Sequence, residues 1–289
     1  MKRTYQTYLF ALLFCTMSAL LCLSCGGSHE AEEAAARVQQ ARTLIRQGNL
    51  EGAKQELDSV HILFRQQVDA RREAKSLQDT IARLEAERTA HYADSVLQLL
   101  LPQVDPLLKH FRYDKDDKYE DHGHYVSRLL RTEQNSERCF LQAYVGDNRI
   151  TTLKSYYCGK AQLCQTKLEI SAMNSDVHDS RTGREHHFSP DAEEADAFHS
   201  ILTIEDQDAI DLLAFITIHQ RERLRVRLHG NTTTGKEVSP YVYFLSDNDK
   251  KALVETLQLA TLFHDINQME QVLNNAQRQI ERLNRKDLK

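Results

Sequence analysis

The sequence predicts an α+β fold in which helices at both ends flank a mainly antiparallel β domain. Three observations carry this. Residues 30–101 contain no proline and only two glycines, Gly48 and Gly52. Residues 140–170 pass through short segments rich in β-branched and aromatic residues, parted by the turn sequences Gly146-Asp147-Asn148 and Gly159-Lys160. Near the C-terminus, Leu262, Ile266, Met269, Leu273, Ala276, Ile280 and Leu283 recur at alternating steps of four and three, the spacing of a coiled-coil seam.

Residues 1–24 read as a secretion signal. Lys2 and Arg3 precede an apolar run from Tyr8 to Leu23, which stops at Ser24-Cys25-Gly26-Gly27. The run is shorter than the roughly 20 apolar residues that span a bilayer core. It resembles a lipoprotein signal peptide, in which the cut falls before a cysteine that then carries acyl chains. Leu23, Ser24 and Cys25 fill the last three places of that cleavage box, and Cys22 departs from it by standing where an aliphatic residue is usual. The resemblance implies lipidation at Cys25 and attachment to the cell envelope, at the outer membrane.

Cleavage would leave 35 Lys and Arg against 42 Asp and Glu. A net negative surface repels phosphate backbones and anionic headgroups, so no nucleic-acid partner is expected, and membrane attachment is assigned to the lipid. The apolar fraction of 41% and charged fraction of 27% are those of a globular chain.

Residues 25–65 form a linker and a helical hairpin. Val38, Ala41, Leu44 and Ile45 share one face of a helix that stops at Gly48. Asn49 caps a second helix, on which Ala53, Leu57 and Val60 align. The junction Gly48-Asn49-Leu50-Glu51-Gly52-Ala53 with Leu57-Asp58 resembles that of a tetratricopeptide repeat. No second copy occurs at the spacing of about 34 residues, so the resemblance implies one docking or capping hairpin and no solenoid. Residues 66–101 then form a long coiled-coil helix with Ala70, Ala74, Leu77, Ile81 and Leu84 on one stripe. Residues 246–289 form the C-terminal coiled-coil helix, started by the capping pair Ser246 and Asp249. So narrow an apolar seam needs a partner, and the long N-terminal helix, antiparallel, is the economical one. A homodimeric seam and packing of both helices on the middle domain are the alternatives.

The β-rich domain spans residues 102–245. Strands are expected at 140–145, 150–157, 163–170 and 241–245, and at Leu224, Val226 and Leu228, which alternate with arginines over one wet face. Residues 206–219 read as a helix covering the sheet, 174–197 as a long exposed connection, and 116–122 as a solvated connector.

Of the cysteines beyond Cys25, Cys158 and Cys164 could flank a turn and pair in an oxidising compartment. Alternatively Cys139, Cys158 and Cys164 are small buried apolar residues. Asp176, His178, Asp179, His186 and His187 include ligand types that zinc or copper accepts, yet on an exposed connection they read as solvated side chains, as do His122 and His124. Gly-x-Ser-x-Gly, Ser-x-x-Lys and phosphate-loop patterns are absent. No catalytic residue, metal ligand or cofactor is assigned. Tyr125, Tyr144, Tyr156, Tyr157, Tyr241 and Tyr243 could stack a glycan, but tyrosines in strands more often pack across strands.

The signal with Cys25, the Gly48 to Asp58 junction and the acidic Glu30, Glu32 and Glu33 after the lipid site together resemble envelope lipoproteins of the Bacteroidota type that carry one tetratricopeptide-like hairpin and coiled-coil segments. Such proteins share no common activity. The resemblance implies a lipid-anchored interaction or scaffold protein with an envelope protein as partner. The alternative is an envelope glycan-binding protein or hydrolase, whose paired carboxylates would converge from distant strands.

Overall fold

A computed structural model describes residues 26–115, 118, 121–130, 135, 137–188 and 197–287. The chain is α+β and divides into two compact units. One comprises the described residues up to Asp94 and from Gln271 onward, the other those of Ser95–Glu270.

In the first unit, α1 (Gly26–Arg46) ends where the sequence places its stop. Gly48 takes a left-handed φ of +77°. Its N–H bonds the Ile45 carbonyl at 3.0 Å and the Asn49 N–H bonds the Leu44 carbonyl at 2.9 Å, which together close the helix as a Schellman cap. The Asn49 side chain then accepts from the Gly52 N–H at 3.0 Å and starts α2 (Leu50–Leu63). A Cβ on Gly52 would lie 2.8 Å from the Asn49 amide nitrogen, so this glycine makes room for the cap itself.

The hairpin is completed by α3 (Val68–Leu100). Val38, Ala41, Leu57, Val60, Ala74 and Ile81 form one buried core, with Ala70, Leu77 and Leu84 packed against it. The stripe expected to seek the C-terminal helix is therefore used up on the hairpin. A second face of α3 carries Asp79, Ala82, Ala86, Ala90 and Ala93, of which Ala86 and Ala93 are buried. The end of α6 (Asp247–Asp287) lies in the same unit, with Ala276 and Leu283 buried. Lys286 Nζ stands 3.4 Å from Asp79. Since α3 leaves this unit at Asp94 and α6 joins it at Gln271, the two segments run antiparallel.

The second unit is a β-sandwich. Its six-stranded antiparallel sheet runs β1 (Phe111–Asp114), β2 (His124–Ser127), β3 (Phe140–Gly146), β4 (Thr151–Gly159), β8 (Phe198–Glu205) and β7 (Arg184–Phe188). The four-stranded sheet runs β10 (Tyr241–Phe244), β9 (Leu224–Asn231), β5 (Cys164–Ala172) and β6 (Val177–Thr182). Leu141, Leu153, Leu202 and Ile204 of the first share a core with Leu168, Ile170, Val226 and Leu228 of the second. The helix α5 (Asp206–Ile218) adds Ala209, Leu212, Leu213 and Ile216 to it. As the alternation predicts, β9 buries Leu224, Val226 and Leu228 and leaves Arg225, Arg227 and His229 half-exposed.

Within the polar stretch read as an exposed connection, residues 177–188 make the corner of the sandwich, and residues 189–196 lie outside the described residues. The chain passes from β6, an edge of one sheet, to β7, an edge of the other, through Gly183. A Cβ there would meet the Thr203 carbonyl oxygen at 2.3 Å, so only glycine lets the backbones approach so closely. Both strands carry charged and polar residues, which suits solvated sheet edges and hides them from an apolar pattern.

A short helical turn (Leu101–Gln103) and α4 (Val104–Leu108) precede β1. The first half of α6 lies on the sandwich, where Leu259, Ala260 and Phe263 pack with Phe111, Tyr125 and Val145. Its start is the expected capping pair: Ser246 and Asp249 exchange bonds of 3.1 Å between side chain and backbone. Asp249, fully buried, also takes a bidentate pair from Arg138 at 2.6 and 3.0 Å, and this hydrogen bonding holds the Arg138 guanidinium above its ordinary pKa.

Two smaller stability effects are expected in this unit. Burial pushes the Tyr243 phenol well above its ordinary pKa; the ring is half-exposed, but the hydroxyl is enclosed without a partner among the described residues. Tyr243→Phe is expected to be neutral or to stabilise by up to about 1 kcal/mol in a urea titration. A loss of about 1 kcal/mol or more would instead reveal a bonded hydroxyl.

Burial alone would raise the Glu169 carboxyl, but bonds from Arg227 at 2.9 Å and His229 at 3.3 Å bring it below the usual glutamate value of 4.5. A carboxyl depressed in the folded state stabilises above its unfolded pKa, and that contribution is lost as pH falls through the folded pKa. Glu169→Gln should cost about 1 kcal/mol at pH 7 and make the loss of melting temperature below about pH 4.5 shallower than in the parent chain. Parallel pH profiles would contradict this.

Candidate functional site

A cavity of about 750 Å³ forms an open groove in the sandwich unit. One wall is the end of α3 with the short helical turn and α4 that follow, which supply Leu100, Pro102, Pro106 and Leu107. The other is a face of α6, where Val254, Leu257, Gln258, Thr261, Leu262 and Asp265 fall on successive turns. Pro102 and Pro106 shape the first wall, because proline fixes φ and breaks the helix into short turns. The rim is wet: Pro102, Gln103, Gln258 and Thr261 are exposed. Large apolar side chains stand exposed nearby in sequence, Leu101 at 51% beside Pro102 and Ile218 at 76% beside the lining Thr217.

His110 lines this groove and also a second cavity of about 240 Å³ shared with Arg128, Leu129, Lys251 and Glu255. Its Nδ1 is 2.9 Å from Glu255 Oε1. Glu255 is nine-tenths buried, Lys251 Nζ stands 4.0 Å away, and its Oε2 has no hydrogen-bond partner among the described residues. Asp265, half-buried in the groove wall, carries no ion pair or hydrogen bond among the described residues. Among those same residues, no lysine or arginine lines the groove. Asp265 is thus the one carboxylate among the groove's described lining residues, whereas Glu255 lines only the second cavity, together with Arg128 and Lys251. Of these residues only Leu262 stood out in the sequence, as the start of the four-three seam and not as part of a site; the available signal was the mixed apolar and polar face of α6 beside a turn bracketed by two prolines.

The residues singled out from sequence lie elsewhere. Cys25 is outside the described residues. Cys158 and Cys164 do flank a turn but are free thiols, as is Cys139. Their strands belong to different sheets: Tyr157, next to Cys158, points into the core, which turns Cys158 to the outer face, while Cys164 is buried with Glu185 as its side-chain neighbour.

Of the histidine and acidic group, Asp179 is held by Arg181, which also gathers Asp208 and Asp211. His178 lies on β6 and His186 and His187 on β7. Among the described residues no group of three or more His, Cys, Asp or Glu is arranged to hold a metal. His122 faces Asp147 at 3.1 Å and His124 packs on Tyr144.

The tyrosines are engaged with neighbours. Tyr125 meets Phe263 edge-on, Tyr156 stacks on Phe140 at 4.5 Å, and Tyr157 meets Tyr241. The cluster of Ser175, His219 and Glu222 places the serine and histidine on the same carboxylate, with two backbone N–H groups bonded to it as well. The His219 bond leads in lowering the Glu222 pKa. Ser175 Oγ also lies 3.5 Å from His219 Nδ1, the same ring nitrogen that meets Glu222 at 2.7 Å, so the three side chains tie the turn after β5 to the end of α5.

Compared with family models, curated proteins and solved structures, the chain matches none. Among the described residues, no helix is long and apolar enough to cross a membrane.

Proposed function

We propose that this is a lipid-anchored protein of the cell envelope, held at the outer membrane through acylated Cys25, whose sandwich unit binds another envelope protein while the helical unit serves as a structural support. The observation that carries the reading is the open groove, in which Leu100, Pro102, Pro106 and Leu107 face Val254, Leu257 and Leu262 beneath a polar rim, with the exposed Leu101 and Ile218 adjoining lining residues in the chain. The single tetratricopeptide-like hairpin and the cysteine after an apolar run agree with it.

Glycan binding or hydrolysis is the second reading. It has less support, because the tyrosines that could stack a sugar are occupied by cross-strand and interlayer packing.

Crosslinking of the lipidated chain in cells, with mass spectrometry of the products, tests the proposal. Recurrent links to one envelope protein are expected. Absence of a recurrent partner would overturn it and move the weight to the glycan reading.

A further inference from the structure

From the walls and charge of the groove we infer that its occupant is an amphipathic helix of the partner protein, bearing a lysine or arginine on its apolar face opposite Asp265. This rests on the interaction reading proposed above and names the surface and the chemistry of its partner.

The groove runs along α6 from Val254 to Asp265, three helical turns or about 16 Å at 1.5 Å per residue. Its walls are helical segments, whose backbone groups are largely bonded within their own turns. They offer an extended peptide no row of free N–H and C=O groups, so strand addition is disfavoured. A small apolar ligand needs a pocket that buries most of its surface, whereas here Pro102, Gln103, Gln258 and Thr261 leave the rim open. A helix laid in the channel presents anchors at three- and four-residue spacing to a wall with the same spacing, and its outer face stays in water as the open rim requires.

Charge supplies the rest. Among the described residues, Asp265 is unpartnered on the α6 wall beside Leu262, and no lysine or arginine lines the groove; Glu255 lies in the adjoining cavity, where Lys251 and His110 face it. A basic residue on the incoming helix would pair with Asp265, and an acidic one would be repelled.

The test places a photoreactive amino acid at Gln258, and separately at Thr261, in the full lipidated chain in cells. The expected result is a covalent adduct at both positions to one protein, through a segment with apolar residues at three-four spacing and a lysine or arginine among them. Asp265→Lys should reduce the adduct by about tenfold with unchanged thermal melting, and the reciprocal basic-to-acidic change in the partner should restore it.

Four results would overturn the inference: adducts of small-molecule mass, a partner segment that is not helical or carries no basic residue, indifference to the charge swap, or no groove adduct while crosslinks persist elsewhere on the chain. The last of these leaves the interaction reading intact. A chain that crosslinks to no protein at any position removes both.

Discussion

Replacing Gln165 with leucine is expected to cost the sandwich unit about 3 kcal/mol, because it leaves several buried acceptors or donors without partners at roughly 1 to 3 kcal/mol each before relaxation. Gln165 is fully buried between the sheets. Its amide nitrogen donates to the carbonyls of Ser155 at 3.0 Å and Ser200 at 2.9 Å, and its oxygen accepts from the Ser155 hydroxyl at 2.7 Å. The Ser200 hydroxyl in turn donates to the Leu163 carbonyl at 2.6 Å.

A register shift between Gln165 and Lys167 directs this side chain inward, and the facing Gly230 admits the bulge. A Cβ on Gly230 would stand 2.0 Å from the Cys164 carbonyl oxygen. The network is complete, and a complete buried network fixes one alignment of the two sheets. Ser155→Ala combined with Gln165→Leu should cost clearly less than the sum of the single changes, since the two act on one network. Urea denaturation reads both effects. A loss under about 1 kcal/mol for Gln165→Leu would mean that the orphaned groups find new partners.

The second large effect is expected at Leu283. Leu283→Asp puts a carboxylate into a seam where the leucine is 4% exposed, a loss of about 3 kcal/mol from apolar transfer and charge burial. The consequence should be local. Seventeen undocked residues form a marginal helix in water, so residues 271–287 should lose amide-exchange protection while the strands of the sandwich keep theirs. Lys286→Ala, which removes only the exposed contact to Asp79, should change stability by less than about 0.5 kcal/mol. Retained protection over 271–287 in Leu283→Asp would show that this segment does not depend on the seam.

Each element is legible in sequence to the extent that its signal is local. The hairpin is readable because its ends are set by neighbouring residues: Gly48 alone suits the left-handed stop, and Asn49 caps the second helix. Likewise β9 declares itself through alternation, since one face meets the core and the other meets water. In contrast, β6 and β7 are edge strands whose polar residues mimic a loop, and Gly183, which looks like a loop glycine, marks the crossing between sheets.

The C-terminal helix is half legible. The four-three seam from Leu262 onward is real, but Leu253, Leu259 and Ala260 on other faces are buried on the sandwich, so a single seam undercounts what this helix packs against. The stripe on α3 misleads in the opposite way: by spacing alone Ala70 to Leu84 is the natural partner of α6, yet it closes the hairpin core instead. The groove is not legible because its two walls are about 150 residues apart in the chain, and Asp265 looks in sequence like any helix-surface acid.

Anchoring at Cys25 underlies every functional proposal made for this chain. The most direct measurement is the mass of the N-terminal peptide from membrane-purified protein, alongside fractionation of Cys25→Ala. The expected peptide begins at Cys25 and carries the mass of a lipid modification, and the alanine variant leaves the lipid-anchored pool. An unmodified N-terminus, a chain that starts at Met1, or membrane attachment that survives Cys25→Ala would contradict the assignment.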